Sequence, residues 1–264
     1  MDLERVITET LASLIEGGKA LGTDRIPREN IQPTIDAFEQ KALSTLSYYS
    51  LKPIGSTGKK TSSGDIDLGL NTDNSLEDVA SEIKRLGFQV KINKGLGEVS
   101  VQFPQYGPDG EQTNLTAQVD LMFGPEEWTQ TQYYGPGEKE SKYSGVHVRG
   151  IINALAKVVA GHSISPARGL FRKEDPEKKY SMDWGIILKP LNKISSEPWS
   201  ISDLQQPFEK IWLKASKTLP KETVAELKSY YLEFMKSVKR EVPSELSEVN
   251  KIYTYGKAQT DPSG

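Results

Sequence analysis

The 264-residue chain contains no cysteine, which removes disulfides, thiolate zinc sites and cysteine nucleophiles from consideration. Its two histidines, His147 and His162, are too few for a histidine-based metal site, and a helix-start or core role is the simpler reading of His147. No run approaches the ~20 consecutive apolar residues that a membrane helix needs. Met1-Asp2-Leu3-Glu4-Arg5 lacks the basic stretch and following apolar run of a secretory leader. A cytoplasmic protein without a membrane partner is therefore expected. An excess of positive charge is also missing: 33 Lys and Arg against 36 Asp and Glu leave a net charge of -3. Any nucleic acid would have to meet a local basic patch rather than a globally basic surface. Arg168/Arg172/Lys173, Lys178/Lys179 and the lysines of the final helices are candidate patches, and each also fits an ordinary solvated face. Internal repeats and low-complexity segments are absent as well.

The composition present, 36% hydrophobic and 26% charged, is that of a globular protein with material for one large or two small domains. Leu3, Val6, Ile7, Leu11, Leu14 and Ile15 fall at helical spacing ahead of Gly17-Gly18. A second helix is expected over Gln32–Tyr49, stopped by Lys52-Pro53. Ser75-Leu76-Glu77-Asp78 has the form of a capping box, and Gly87 closes the helix it starts. Strands are expected around Phe88–Asn93 and Val99–Phe103 with a hairpin at Gly95 and Gly97, then a loop over Gln105–Asn114 and a strand over Thr116–Phe123. Helices follow at Glu126–Tyr133 and His147–Ala160, short strands at Gly169–Arg172 and Gly185–Leu188, and helices at Asp203–Ala215 and Lys221–Lys239. The pattern is α+β: N-terminal helices over 1–50, a central mixed sheet over 51–162, a strand pair and helices over 163–255, and a disordered tail from Gly256.

The most informative stretch is Ile54-Gly55-Ser56-Thr57-Gly58-Lys59-Lys60-Thr61-Ser62-Ser63-Gly64-Asp65-Ile66-Asp67-Leu68. Residues two apart on a strand share a face, so Asp65 and Asp67 project together. Two adjacent carboxylates repel each other unless a hard cation joins them, and Mg²⁺ is typically held by one or two carboxylates plus substrate phosphates. The Gly55-Ser56 turn offers backbone N–H groups and a hydroxyl to such a phosphate, with Lys59 or Lys60 adding charge. A third acid, Asp120, stands in the apolar strand Ala117-Gln118-Val119-Asp120-Leu121-Met122-Phe123, where a buried carboxylate has to be neutralised, hydrogen-bonded or bound to a cation. If this strand lies beside the first, three carboxylates converge, an arrangement suited to two metal ions that clamp an in-line displacement.

Gly-Ser, an intervening loop, Asp-x-Asp and a third strand aspartate together resemble the signature of the DNA polymerase β-like nucleotidyltransferase superfamily. The wording Gly64-Asp65-Ile66-Asp67, and the Leu after Asp120, are most similar to the palm of family X DNA polymerases. Tyr133-Tyr134-Gly135-Pro136-Gly137 is similar in placement to their sugar-contacting Tyr-Phe-Thr-Gly-Ser segment, although it departs in sequence. The likeness covers about residues 54–160. It implies a palm-like mixed sheet, two Mg²⁺ or Mn²⁺ ions on Asp65, Asp67 and Asp120, and a nucleoside triphosphate against Gly55, Ser56, Lys59, Lys60 and Tyr134. The helix-hairpin-helix elements with which family X grips DNA do not occur before residue 54. A small enzyme adding one or a few nucleotides therefore fits better than a processive polymerase.

A nucleic-acid 3′ end is the first acceptor to expect, either RNA or DNA. A small molecule, a protein hydroxyl or a second nucleotide would use the same chemistry, and a non-catalytic nucleotide-binding module is the alternative from another class. Arg149 is read two ways, reaching toward a triphosphate or lying on the surface of its helix. Tyr133 and Tyr134 read as sugar or base contacts or as core, and the four tryptophans read as core.

Overall fold

Glu98-Val99-Ser100-Val101-Gln102-Phe103 alternates polar and apolar residues, and so does Gln118-Val119-Asp120-Leu121. A pleated strand sends alternate side chains to opposite faces, so both segments have one face made for a core and one for something polar. The computed structural model describes residues 21–243 apart from 176 and 178, together with residue 246. In it these segments lie side by side as β6 (Glu98–Tyr106) and β7 (Gln112–Phe123).

Around them stand β2 (Ser50–Pro53), β4 (Ile66–Asn71) and β5 (Gln89–Asn93), in the sheet order β2-β4-β7-β6-β5. β4 and β7 run parallel and every other neighbouring pair antiparallel, which makes the five-stranded sheet mixed. Two small ribbons flank it: β1 (Ile26–Pro27) with β3 (Ser62–Ser63), and β8 (Ser163–Ser165) with β9 (Gly169–Phe171). Eight helices occur among the described residues: α1 (Arg28–Ala42), α2 (Leu76–Arg85), α3 (Glu126–Gln132), α4 (Gly145–Ala160), α5 (Gly185–Ile194), α6 (Ile201–Leu204), α7 (Phe208–Thr218) and α8 (Lys221–Ser237). The fold is mixed α+β.

The apolar face of the sheet carries Ile66, Leu68, Leu70, Val99, Val101, Phe103, Val119 and Leu121, all buried, against Ile31, Ile35 and Phe38 of α1 and Val79 and Ile83 of α2. At roughly 1.5–3 kcal/mol per fully buried large side chain, this layer fixes the register of the strands. The opposite face is approached by α3. Gly69 permits that approach, because a Cβ there would sit 2.5 Å from Thr129 Oγ1. Trp128 of α3 stacks on Trp184 at 4.5 Å and joins a second hydrophobic cluster with Ile151 and Leu155 of α4, Leu191 of α5 and Tyr231 of α8.

Several boundaries differ from the sequence expectation. The second helix runs over Arg28–Ala42 rather than 32–49: Pro27 precedes its first turn, where a missing N–H costs nothing, and Ser44 and Thr45 end it. The expected loop at 105–114 is mostly strand, with only residues 107–111 turning; Gly110 supplies the positive φ of 79°. Gly185–Leu188 is helix, not strand. Trp184, Ile187 and Leu191 are spaced to bury one helical face, and Asp183 Oδ1 accepts from the N–H of Gly185 at 2.7 Å. The helix continues through Pro190. The helix expected over 203–215 is two, α6 and α7, because Pro207 cannot continue the first and is well placed before the second. β1, β2 and β3 had no counterpart in the sequence pattern. The Ser75 capping box is present, its hydroxyl accepting from Asp78 N at 3.1 Å. The helix around residues 3–15 and the tail from 256 lie outside the described residues.

Candidate metal centre

Because β4 and β7 are parallel and in register at Ile66↔Val119, Asp67 lies directly beside Asp120. On the far side of β7, Ser100 is the register partner of Asp120. The polar face therefore carries an Asp67–Asp120–Ser100 row across three adjacent strands. Asp65 is not on the strand, contrary to the sequence reading. Ser62 and Ser63 are taken by the β1–β3 ribbon, and the chain enters β4 only at Ile66. Its carboxylate nevertheless reaches the other two: one oxygen from each of Asp65, Asp67 and Asp120 lies within 4.8 Å of the others.

Three such groups, largely withdrawn from water, strongly disfavour full ionisation. Burial, and then the charge of Glu98, push Asp120 up to about 7. Burial, followed by the charges of Asp65, Asp120 and Glu98, holds Asp67 well above the usual carboxylate range. Asp65 is also raised by burial, while Lys60 and Arg25 pull it back. An all-oxygen, negatively charged donor set of this kind suits a hard divalent cation, whose binding would offset the repulsion. The triad could hold a metal ion.

Glu98 is a fourth acid in this cluster and was not singled out in the sequence. It is buried, accepts a 2.7 Å hydrogen bond from Ser100 Oγ, and is itself raised by burial. The alternation Glu98-Val99-Ser100-Val101 was the signal that places it on the acid face. Gln118, two residues before Asp120, donates from Nε2 to both carboxylate oxygens at 3.0 and 2.9 Å. Ser100 lies beside Asp120 in the register of β6 and β7. Asp120 is thus oriented by Gln118 of its own strand.

The Gly55-Ser56 turn sits on top of Asp67. Gly55 has φ 63°, and a Cβ there would fall 2.5 Å from Asp67 Oδ2, so both the conformation and the closeness demand glycine. Thr57 locks the turn to the strand, its Oγ1 accepting from Asp67 N at 2.9 Å. The Tyr134-Gly135 segment comes to the same place: Gly55 bridges to Tyr134, and a Cβ at Gly135 would be 2.8 Å from Ser56 N. Ser56 and Tyr134 are both partly exposed here.

The two lysines separate. Lys60 acts electrostatically on Asp65. Lys59 turns the other way, donating to Gly135 O at 2.8 Å with its ammonium 4.8 Å from the Tyr134 ring centroid. Burial lowers its pKa. Lys59, Tyr134, Gln130 and Gln205 line a cavity of about 210 Å³ beside the turn.

Arg149 is not a surface residue. It projects from α4 toward Asp67, 5.8 Å from the Tyr133 ring, and its buried Nε and Nη1 have no hydrogen-bond acceptor among the described residues. Tyr133 is half-buried and donates to Leu96 O at 3.1 Å. His147 is a packing residue, its Nδ1 2.7 Å from Tyr231 Oη, and the tryptophans Trp128, Trp184 and Trp199 are buried.

No protein-family model and no curated protein matches this chain. The acid cluster must be interpreted from its own geometry. No helix among the described residues is long and apolar enough to cross a membrane.

Proposed function

We propose that this chain is a metal-dependent nucleotidyltransferase of the DNA polymerase β-like kind, built on a palm-like sheet. It moves a nucleoside monophosphate from a nucleoside triphosphate to an acceptor hydroxyl, with a nucleic-acid 3′ end as the acceptor. The observation that carries this reading is the convergence of Asp65, Asp67 and Asp120 within 4.8 Å, directly beneath the Gly55-Ser56 turn.

In the reaction the acceptor oxygen attacks the α-phosphorus, the bond from that phosphorus to the β-phosphate bridging oxygen breaks, and pyrophosphate leaves. Asp65, Asp67 and Asp120 would hold two Mg²⁺ or Mn²⁺ ions. Such ions supply Lewis-acid stabilisation of the attacking and leaving oxygens. The protein's own part is positioning. Ser56 and the backbone of its turn receive the β- and γ-phosphates, with Lys60 on one side and Lys59 on the other. Tyr134 borders the nucleotide, and the unpartnered N–H groups of Arg149 supply positive charge toward Asp67. Asp120 would complete the metal that activates the acceptor hydroxyl, or act as the base that receives its proton.

Incubation with each α-labelled nucleoside triphosphate and Mg²⁺ or Mn²⁺, separately with RNA, DNA, protein or no acceptor, tests the reading. Label on the nucleic acid, lost in Asp65→Asn/Asp67→Asn, is expected. Label found only on protein, or only in a free dinucleotide, would move the same chemistry to another acceptor. Product formation that survives the double substitution would overturn the mechanism.

A further inference from the structure

The basic residues of the region after α4, Arg168, Arg172 and Lys179, are not used by the acid site. Arg172 and Lys179 line a cavity of about 590 Å³, together with Lys189 of α5, His162 and the aromatic ring of Tyr180. Asp175 is the one acid on its wall among the described residues. Lys179 is drawn to Glu177 at 2.8 Å, an exposed pair of the sort that competing anions and salt readily displace. Arg172 and Lys189 are both exposed.

Tyr180 is 37% exposed, although Phe171 lies 5.2 Å from its ring and the Arg168 guanidinium 5.4 Å. A cationic groove beside an accessible aromatic ring is the combination that binds single-stranded nucleic acid: the charges take the backbone and the ring takes a base face. The end of α4 ties this cavity to the acid site. Arg149 faces Asp67 near the start of the helix, and Val159 and Ala160 form the cavity wall at its end. Ten residues at 1.5 Å each put roughly 15 Å of helix between them. A stacked strand rising 3.4 Å per nucleotide would cover that distance in about four nucleotides.

We propose that this cavity is a second nucleic-acid contact, which takes a phosphate and an unpaired base of the acceptor strand a few nucleotides from its reacting end. The inference rests on the reading of the acid cluster as a nucleotidyltransferase centre, and it narrows the acceptor to a single strand of at least about five nucleotides.

The test is fluorescence anisotropy of a labelled single-stranded oligonucleotide against the full chain, over a range of salt, without nucleoside triphosphate. Arg172→Gln/Lys189→Gln and Tyr180→Leu are compared with the wild type and with Asp65→Asn/Asp67→Asn. At low salt the double charge substitution is expected to weaken binding about tenfold or more and to flatten the salt dependence by about 0.7 for each lost phosphate contact. Tyr180→Leu is expected to weaken binding with the salt dependence unchanged. Asp65→Asn/Asp67→Asn should still bind. Unchanged affinity in all three cavity substitutions overturns the proposal. So does full competition by a mononucleotide at equal phosphate, which would make the cavity a site for free nucleotides. Oligonucleotide binding that depends on Arg172 and Lys189, in a protein that transfers no nucleotide, would leave the cavity assignment standing and reject the catalytic reading alone.

Discussion

Asp67 and Asp120 are side-by-side neighbours on two parallel strands, with their carboxylates on the same face and Asp65 completing a triangle. Nothing in the core requires this. The opposite face of the same strands is fully apolar, and polar but uncharged residues at 67 and 120 would have satisfied the pleat equally well. The arrangement costs stability in the metal-free protein, and a bound cation would offset that cost.

Asp67→Asn is accordingly expected to separate stability from function. Removing one charge from the cluster raises the unfolding temperature of the metal-free protein. It is also expected to abolish the upward shift expected of the wild type with Mg²⁺ or Mn²⁺. Transfer activity falls by more than the ~10–100-fold typical of outer-shell metal partners. Thermal unfolding with and without cation, beside the transfer assay, checks all three.

A pH dependence follows from the raised acids. A carboxyl group whose pKa is higher folded than unfolded binds more protons in the folded state, so its contribution to stability is lost as pH rises. For Asp120 the loss spans the interval from its ordinary value of 3.8 to about 7, and Asp67, Asp65 and Glu98 act in the same direction. The metal-free protein should therefore become less stable across this interval as pH is raised. The gain from added Mg²⁺ should grow over the same interval, because the cation competes with protons. Urea unfolding as a function of pH, with chelator or with cation, measures both.

Gly55→Ala and Gly58→Ala form a matched pair. Both positions have positive φ, 63° and 71°, and each alanine incurs a left-handed strain of roughly 1–2 kcal/mol. Only at Gly55 does the new methyl group collide with Asp67; the space around Gly58 is open. Similar losses of stability, but a far greater loss of cation binding in Gly55→Ala, are expected. Equal cation affinities in the two variants would detach the turn from the metal centre.

Gln118→Leu keeps the volume and removes both hydrogen bonds to Asp120. Cation affinity is expected to drop by about 10–100-fold with the fold retained. Titration with Mn²⁺, followed by its electron paramagnetic resonance, measures this without reference to turnover.

Much of this site was legible in the chain because strand alternation is a strict code. Asp120 among apolar neighbours, and Asp67 between Ile66 and Leu68, could point only to the face opposite the core. The same code held Glu98, Ser100 and Gln118, which pass unnoticed beside a known motif because a lone Glu or Gln on a strand commonly faces water. Asp65 was assigned to the strand because no local signal shows that Ser62 and Ser63 pair with β1, far back in the chain, as Ser63 does with Ile26. Arg149 could not be placed from sequence: whether an arginine on an amphipathic helix is buried depends on what lies across from it, here Asp67 and Tyr133. Gly185–Leu188 misled because a short apolar run fits strand and helix alike, and the stack of Trp184 on Trp128 decides it.

The most direct test of the central claim is a crystal of the protein soaked with Mn²⁺ and a non-hydrolysable nucleoside triphosphate, measured for anomalous scattering from manganese. The account predicts manganese between the carboxylates of Asp65, Asp67 and Asp120, with the triphosphate against Gly55 and Ser56. An acid cluster without manganese at saturating concentration, or a triphosphate bound away from the turn, would contradict it.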